Sequence, residues 1–491
     1  MKENENKKQK APDNFKLLKG EQIYKVHSFK FTHPQLKPSG YDEIYRLTAS
    51  SGENGVGANG PSIAALSSEP DSPKHNNQGL YSTIFGRDSL RVALDLVDHY
   101  PKLAKETIQH LAELQGTVFN TAREEEPGRI PHEVRDVRDP IAIKLTKERG
   151  WGWPYYGSVD ATPEFIRTLS AYCKLSDYNN EFLSYTYTDK SGQPQTISTA
   201  LIRAVDWMVS HMDSNPDGLV EFKSVLKLGI ENQVWKDSWD AYHHSDGTIA
   251  NHSQGIAAVE VQTVSHDALL DAADLYDNIL IDKHEEAQQL RQRAKILSKR
   301  ILDIFWTDDK GGYFVLGTDR DDDGNLRQLK VRASNMGHIL NSRVIDGDDE
   351  EHMKKRLAIL KQLQSPEMLA TGGIRTLAND EVRFREGAYH NGSVWIWDTY
   401  HIIKGAFRHA KSNPEFESFA KDLENRIQTI VNVIGEFPEH VRGGDVIAVN
   451  TRIIDVYDSK AKRINRVEQP PQEVQAWTVA AILATKWRQE Q

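Results

Sequence analysis

The sequence contains one cysteine, Cys173, in 491 residues. A single cysteine excludes an internal disulfide framework and any metal site that needs several thiolates. Long apolar runs are also missing, because no stretch approaches the roughly 18 apolar residues of a membrane-spanning helix. Residues 1–14 are mostly Lys, Glu, Asn and Gln, without the apolar core of a secretory signal. We therefore expect a cytoplasmic protein that has no membrane contact.

An excess of positive charge is missing as well. Lys and Arg number 61 against 71 Asp and Glu, which gives a net charge of −10. Nucleic acid is therefore not an expected partner. The sequence also lacks strand–helix–strand alternation and a glycine-rich phosphate loop, and we predict no cofactor.

Two patterns that resemble metal sites are interpreted otherwise. Asp319–Gly324 resembles the start of a calcium loop, but its twelfth position is Lys330 and strand-like residues follow. His243, His244 and His252 match no common zinc spacing. We predict a solvated hairpin turn for the first pattern and no metal site at either.

Helical periodicity dominates from Gly86 onward, where apolar residues recur three and four positions apart. Strand signals are few: residues 312–316 and 329–331 flank a turn at 321–325, and residues 446–457 form a second, longer hairpin candidate. This pattern predicts an all-α fold in which paired helices form a toroid, with a few short β-hairpins. A solenoid is the alternative, but no fixed sequence period supports it. The eleven helix candidates lie around 90–97, 103–114, 162–175, 202–209, 264–275, 290–305, 334–345, 350–363, 393–410, 413–435 and 472–487.

The same pattern predicts one large domain. We expect a disordered tail over 1–14, an irregular N-terminal extension over 15–80 that contains Gly/Ser-rich loops, and a catalytic domain over 81–491.

The loops between helices are rich in Trp, Tyr, Asp, Glu, His and Arg, and six of the ten tryptophans lie in or beside them. Aromatic rings offer flat apolar faces, and carboxylates and Arg offer paired hydrogen bonds to vicinal hydroxyls. This combination suits a sugar, which is apolar on its ring faces and polar around its rim. A glycosidase also needs two carboxyl groups, one protonated and one ionised, across the bond it cleaves. The six tryptophans are Trp151, Trp153, Trp235, Trp239, Trp395 and Trp397.

An ordered set of motifs resembles the amylo-α-1,6-glucosidase family and, more distantly, the glucoamylases. The motifs are Gly-Arg-Asp-Ser at 86–89, Tyr-Gly-Ser-Val-Asp-Ala-Thr-Pro at 156–163, Trp-Lys-Asp-Ser at 235–238, Gly-Ile-Arg-Thr at 373–376 and Tyr-His-Asn-Gly-Ser-Val-Trp at 389–395. A carboxylate before Gln475-Ala476-Trp477 completes the order. The resemblance spans about residues 80–487 and implies an (α/α)6 toroid that inverts the anomeric carbon during hydrolysis.

The resemblance implies that Asp237 is the general acid and Glu439 the general base. Their carboxyl groups are then expected roughly 6.5–9.5 Å apart. Asp240 and Glu436 remain alternatives for these two roles, and Glu133 is a weaker candidate. The residues expected to bind the sugar are Arg87, Asp88, Tyr156, Asp160, Trp235, Trp239, Glu260, His390, Asn391 and Trp395.

The predicted function is release of a terminal α-linked glucose from an oligosaccharide or a small α-glucoside. The sequence departs from the family in its short N-terminal region and in a hairpin-like insertion at 443–468, which favours a short substrate. A glucosidase for a disaccharide or glucosylglycerate, a lyase or epimerase on the same fold, and a non-catalytic sugar-binding protein remain alternatives.

Overall fold

The computed structural model describes residues 23–26, 62–66, 81–178, 181–458, 463–469 and 471–490. Over this part of the chain, α-helices predominate. None of them is long and apolar enough to cross a membrane. They are α1 Gly86–Asp95, α2 Pro101–Glu113, α3 Pro140–Arg149, α4 Ala161–Lys174, α5 Ile197–Ser214, α6 Val259–Asn278, α7 His284–Ile304, α8 Asn335–His338, α9 Glu350–Gln364, α10 Ile396–His409, α11 Pro414–Ile434 and α12 Ala476–Glu490.

Six of the described helices form a closed inner ring. Around it, α1 contacts α4, α4 contacts α6, α6 contacts α8, α8 contacts α10, α10 contacts α12, and α12 contacts α1 again. The helices α2, α5, α7, α9 and α11 pack outside, each against an inner neighbour. Inner helices are surrounded on all sides, and α6 accordingly buries sixteen of its twenty residues. The predicted (α/α)6 toroid of paired helices is confirmed.

Ten of the eleven helix candidates are α-helices in the structure. Residues 334–345 are not one helix, because the α-helical turn α8 is followed by 3₁₀ turns at Ile339–Asn341 and Arg343–Ile345. Sequence periodicity missed α3, whose apolar residues alternate and of which only Ala142 is buried. Its signals are at its ends, where the Asp139 side chain accepts a hydrogen bond from the Ile141 N–H at 2.7 Å and Gly150 has a φ of 76°.

Short strand pairs connect the helices. The turn at 321–325 does form a hairpin, but its first strand is Gly317–Arg320, and Tyr313–Phe314 instead pairs with Trp306–Thr307. The second predicted hairpin lies further along the chain and joins Asn450–Asp458 to Arg463–Gln469. The strands are β1 Ile23–Val26, β2 Ala65–Leu66, β3 Ile84–Phe85, β4 Glu133–Val134, β5 Thr186–Thr188, β6 Pro194–Thr196, β7 Ala257–Ala258, β8 Trp306–Thr307, β9 Tyr313–Phe314, β10 Gly317–Arg320, β11 Leu326–Leu329, β12 Leu369–Ala370, β13 Gly373–Ile374, β14 Ser393–Val394, β15 Val441–Arg442, β16 Asn450–Asp458, β17 Arg463–Gln469 and β18 Val474–Gln475.

Two strands of the N-terminal extension pair with the C-terminal part of the chain. β1 pairs with β16, and β2 pairs with β18 immediately before α12. The predicted tail over 1–14 and the loops over 52–60 and 67–79 lie outside the described residues.

Candidate active site

The N-terminus of α1 carries Arg87 and Asp88, and both side chains are buried. The pairing of β3 with β4 brings the start of α1 against the Pro131 carbonyl. A Cβ at Gly86 would lie 2.1 Å from that oxygen, so glycine is required for this close approach. The glycine thereby fixes where the two charged residues lie.

Arg87 is surrounded by carboxylates. Its Nη1 lies 3.2 and 3.3 Å from the two carboxylate oxygens of Asp160, and its Nε lies 3.7 Å from Asp88. Ser158 also donates to Asp160 at 2.6 Å. Burial alone lowers the pKa of Arg87, but the charges of Asp160, Asp88 and Asp237 outweigh it and raise the pKa above its ordinary value. Arg87 therefore remains a cation.

Asp88 links this group to Glu439. Burial raises the pKa of Asp88, Arg87 opposes the shift, and the charges of Asp237, Asp160 and Glu439 add to it, so that the pKa is about 7. We call Asp88, Asp160, Asp237 and Glu439 the carboxylate cluster. Its four members come from four distant segments. Asp88, Asp160 and Asp237 act on Arg87, and Glu439 joins them through its effect on Asp88.

Glu439 is buried and held on both carboxylate oxygens. The Tyr389 hydroxyl donates to Oε1, and the Gln472 backbone N–H donates to Oε2 at 3.1 Å. The backbone of Glu439 in turn donates to the Gln472 carbonyl at 2.9 Å. Donors on both oxygens favour the ionised carboxylate, which is the form that a general base requires.

Asp237 lies half-buried on the wall of a cavity of about 700 Å³. Its neighbour Ser238 contacts His390, whose Nδ1 lies 2.9 Å from the Ser238 Oγ. Asn391 donates from Nδ2 to the Asp240 carbonyl at 3.0 Å and so holds the same loop. The lining residues are Tyr81, Phe85, His132, Glu133, Leu145, Glu148, Arg149, Trp151, Lys227, Leu228, Gly229, Ile230, Glu231, Asp237, Ser238, Trp239 and Tyr389.

The tryptophans differ in position, because some line the cavity and others are buried in the core. Only Trp151 and Trp239 of the six loop tryptophans line the described cavity. Trp235, Trp395 and Trp397 are buried, and Trp235 packs edge to face against each of the other two, with 4.8 Å between the centroids of Trp235 and Trp397. Trp477 stacks on Trp397 at 4.9 Å. Trp235 and Trp395 therefore pack in the core and do not line the described cavity.

Tyr156 and Glu260 do not line the described cavity, and both form internal hydrogen bonds. The Tyr156 hydroxyl donates to the Leu114 carbonyl at 2.5 Å and accepts from Lys190 at 2.7 Å, which ties its loop to the end of α2. Glu260 is buried in the first turn of α6 and accepts from the Tyr242 hydroxyl at 2.8 Å. The Tyr156 hydroxyl is thus held by internal partners, whereas Oε2 of Glu260 has no hydrogen-bond partner within the described residues.

Sequence reasoning did not select Tyr389 or His132 and ranked Glu133 low, yet all three line the cavity. Burial raises the pKa of Glu133 to about 7, although its ion pair with Arg135 opposes the shift. Tyr389 is the first residue of the Tyr-His-Asn-Gly-Ser-Val-Trp motif, but its partner Glu439 lies 50 positions further along the chain. No local pattern indicates such a contact.

The alternative acid and base candidates are placed differently from Asp237 and Glu439. Asp237 lines the described cavity and Asp240 does not. Asp237 and Glu439 are among the charges that most affect Asp88, whereas Asp240 and Glu436 are not. The histidines considered for a metal site have separate partners: His244 pairs with Asp319 and His252 with Asn232.

Comparisons with known proteins agree with this architecture. The amylo-alpha-1,6-glucosidase family model matches residues 111–484. Two crystal structures of GH63 mannosylglycerate hydrolase from Thermus thermophilus, in complex with Tris and with glucose, are similar at TM-scores of 0.54 and 0.53. Their sequence identities are 14% and 13%, and each comparison covers 92% of this chain and 100% of the other. No curated protein sequence matches this chain.

Proposed function

Since this chain belongs to the amylo-α-1,6-glucosidase family of glycoside hydrolases, we propose that it releases a terminal α-linked glucose with inversion at the anomeric carbon. The observation that carries the proposal is the carboxylate cluster around Arg87, beside a cavity that Asp237 lines. Asp237 and Glu439 both influence Asp88 and Tyr389, which supports a pairing of these two carboxyl groups in one site.

In the proposed reaction, Asp237 is the general acid and Glu439 the general base. Asp237 gives its proton to the glycosidic oxygen as the bond from that oxygen to the anomeric carbon breaks. A water molecule attacks from the opposite face, and its proton passes to Glu439. The hydrogen bonds from Tyr389 and Gln472 keep Glu439 ionised and oriented for this step.

Arg87, Asp88 and Asp160 are proposed to hold the hydroxyl groups of the glucose. Carboxylates and guanidinium groups bind vicinal hydroxyls through paired hydrogen bonds. The Asp88 carboxyl has a pKa of about 7, so it exchanges between donor and acceptor near neutral pH. A buried Oδ2 of Asp88 has no hydrogen-bond partner in the described part of the chain, which leaves it available to a sugar hydroxyl.

A second candidate is a small α-glycoside with an anionic leaving group, such as glucosylglycerate. The Arg149 guanidinium lies 5.3 Å from the centre of the Trp151 ring on the cavity wall, and Lys227 lines the same cavity. Neither Arg149 nor Lys227 forms an ion pair within the described residues. The carboxylate of Glu133, which lines the same cavity, is already paired with Arg135. The similar crystal structures are of a mannosylglycerate hydrolase, whose name indicates a glycoside of glycerate as its substrate.

The test is a screen of α-glucosides followed by proton NMR of the product. Panose-type α-1,6 oligosaccharides, disaccharides, α-glucosylglycerate and uncharged α-glucosylglycerol form the panel. We expect β-glucose to appear first and then to mutarotate. First appearance of α-glucose would contradict inversion, an unsaturated or epimerised product would indicate a lyase or epimerase, and binding without turnover would indicate a sugar-binding protein.

A further inference from the structure

Lys236, the residue before Asp237, is fully buried, although the mechanism above gives it no role. Its ammonium donates to the Thr376 carbonyl at 2.6 Å and lies 5.1 Å from the centre of the Trp235 ring. Burial of an ammonium costs several kcal/mol unless nearby groups compensate its charge. The position of Lys236 beneath the acid's loop therefore needs an explanation.

The compensating groups come from two inner helices. Glu260 lies in the first turn of α6, and Asp398 lies in the first turn of α10. Both are buried, and both act electrostatically on Lys236. Asp398 is itself fixed by His338 of α8, whose Nε2 lies 2.6 Å from Oδ1. The lysine thus connects the loop that carries Asp237 to the ends of three inner helices.

We propose that Lys236 is a positioning residue: its ammonium, anchored on the Thr376 carbonyl within reach of Glu260 and Asp398, holds Asp237 in place for proton donation. The inference rests on the proposed function, because it assumes that Asp237 is the acid. Side chains on either side of Lys236 are already fixed, with Trp235 packed against Trp397 and Ser238 against His390. The anchor at Lys236 leaves Asp237 little freedom to move.

The arrangement predicts a dependence on alkaline pH. Burial lowers the pKa of Lys236 to about 8, although Asp398 and Glu260 oppose the shift. The other titratable groups that face this region are His243, on which Lys236 acts, and His338. The pKa of His243 is lowered to about 4 by burial, so it does not titrate in this range. Deprotonation of Lys236 above pH 8 should release the anchor and lower kcat.

The experiment compares Lys236→Met with the wild type on the best substrate of the screen. A displacement of about 1 Å at a catalytic group costs about 100-fold in rate, so we expect kcat to fall by roughly that factor. KM should stay within about threefold, because Arg87 and Asp88 still hold the sugar. The fall in kcat above pH 8 should disappear in the variant.

Lys355→Met is the matched control. Lys355 is also buried and lies 4.7 Å from the centre of a tryptophan ring, that of Trp306, but it pairs with Glu351 on α9. We expect kcat to be unchanged in this variant. An equal loss of kcat in both variants would overturn the inference, as would a kcat within threefold of wild type in Lys236→Met.

A double variant, Lys236→Met with Glu260→Gln, separates the effect of Lys236 on the position of Asp237 from its effect on buried charge and stability. It removes one buried carboxylate together with the ammonium, so its unfolding temperature should approach that of the wild type even if Lys236→Met alone does not fold. We expect its kcat to remain low. Recovery of kcat together with stability would overturn the inference. Inactivity of the wild-type protein on every glycoside would instead overturn the proposed function and this inference with it.

Discussion

The hydroxyl of Tyr389 donates a hydrogen bond to Oε1 of Glu439, and the Tyr389 side chain also lines the cavity on which Asp237 lies. Burial and the neighbouring Glu439 raise the pKa of Tyr389 well above its ordinary value. The phenol therefore keeps its proton at neutral pH and can donate it in a hydrogen bond. One side chain thus orients the proposed base and borders the space where the attacking water and the sugar would lie.

Tyr389→Phe should weaken Glu439 as a general base while it keeps the aromatic ring that lines the cavity. Loss of a donor to the ionised carboxylate disfavours that form, so the acidic limb of kcat/KM should move to higher pH. We expect kcat at neutral pH to fall by about 10- to 100-fold, since a charge-assisted hydrogen bond contributes about 1.5–3 kcal/mol. A pH–rate profile on the screen's best substrate measures both effects. An unchanged acidic limb would show that Tyr389 does not act on the base.

Asp237→Asn should distinguish acid catalysis from a structural role. General acid catalysis contributes about 10²–10⁴-fold, and this factor should be lost on a natural glycoside. α-Glucosyl fluoride has a leaving group that needs no proton, so its hydrolysis should be retained. Steady-state rates on both substrates provide the measurement.

Asp240→Asn is the matched control for the acid, and Glu436→Gln is the control for Glu439→Gln. Glu439→Gln should lose activity on both substrates of the previous experiment, because the attacking water needs a base in each case. Loss of glycoside hydrolysis in Asp240→Asn, with activity retained in Asp237→Asn, would assign the acid to Asp240.

Asp88→Asn should increase stability while it reduces activity. A carboxyl whose pKa rises on folding, here from 3.8 to about 7, destabilises the folded state as pH rises through that interval. The difference corresponds to about 4 kcal/mol as an upper bound, because neighbouring carboxylates share the effect. The unfolding temperature of the variant should therefore exceed that of the wild type at pH 8 and match it near pH 4.

Thermal unfolding at both pH values tests this prediction, and Asp98→Asn provides an exposed control near the same helix. The kcat/KM of Asp88→Asn should fall because a glucose contact is lost. Equal unfolding temperatures of Asp88→Asn and wild type at pH 8 would contradict a raised pKa of the buried Asp88 carboxyl.

Arg149→Gln should reduce any preference for an anionic leaving group. The comparison uses α-glucosylglycerate and α-glucosylglycerol, which differ in the carboxylate. If the second candidate substrate is right, the wild type should prefer the charged glycoside by about tenfold or more, because a charge-assisted hydrogen bond contributes about 1.5–3 kcal/mol. The preference should disappear in Arg149→Gln and persist in Lys147→Gln, an exposed residue of α3 outside the cavity lining.

Local sequence patterns predicted most of the elements. The inner helix α6 and the outer helix α7 follow from apolar spacing, which is a property of neighbouring residues. α3 escaped the same reasoning because its Ile143 is exposed, so burial did not impose a helical period on it. The tryptophans show a second limit: composition marked Trp235 and Trp395 as sugar contacts but did not indicate that both are buried and pack edge to face.

The sequence by itself determined the class of protein, the helical periodicity and the motifs that carry the chemistry, because each depends on composition or on residues close together in the chain. Only the tertiary structure decided that Asp88, Asp160 and Asp237 share Arg87, and that Tyr389 contacts Glu439. It also decided that Glu260 serves the interior and Lys236 lies beneath the acid's loop. These relationships depend on the closure of the inner helix ring, which joins residues hundreds of positions apart and leaves no local pattern in the sequence.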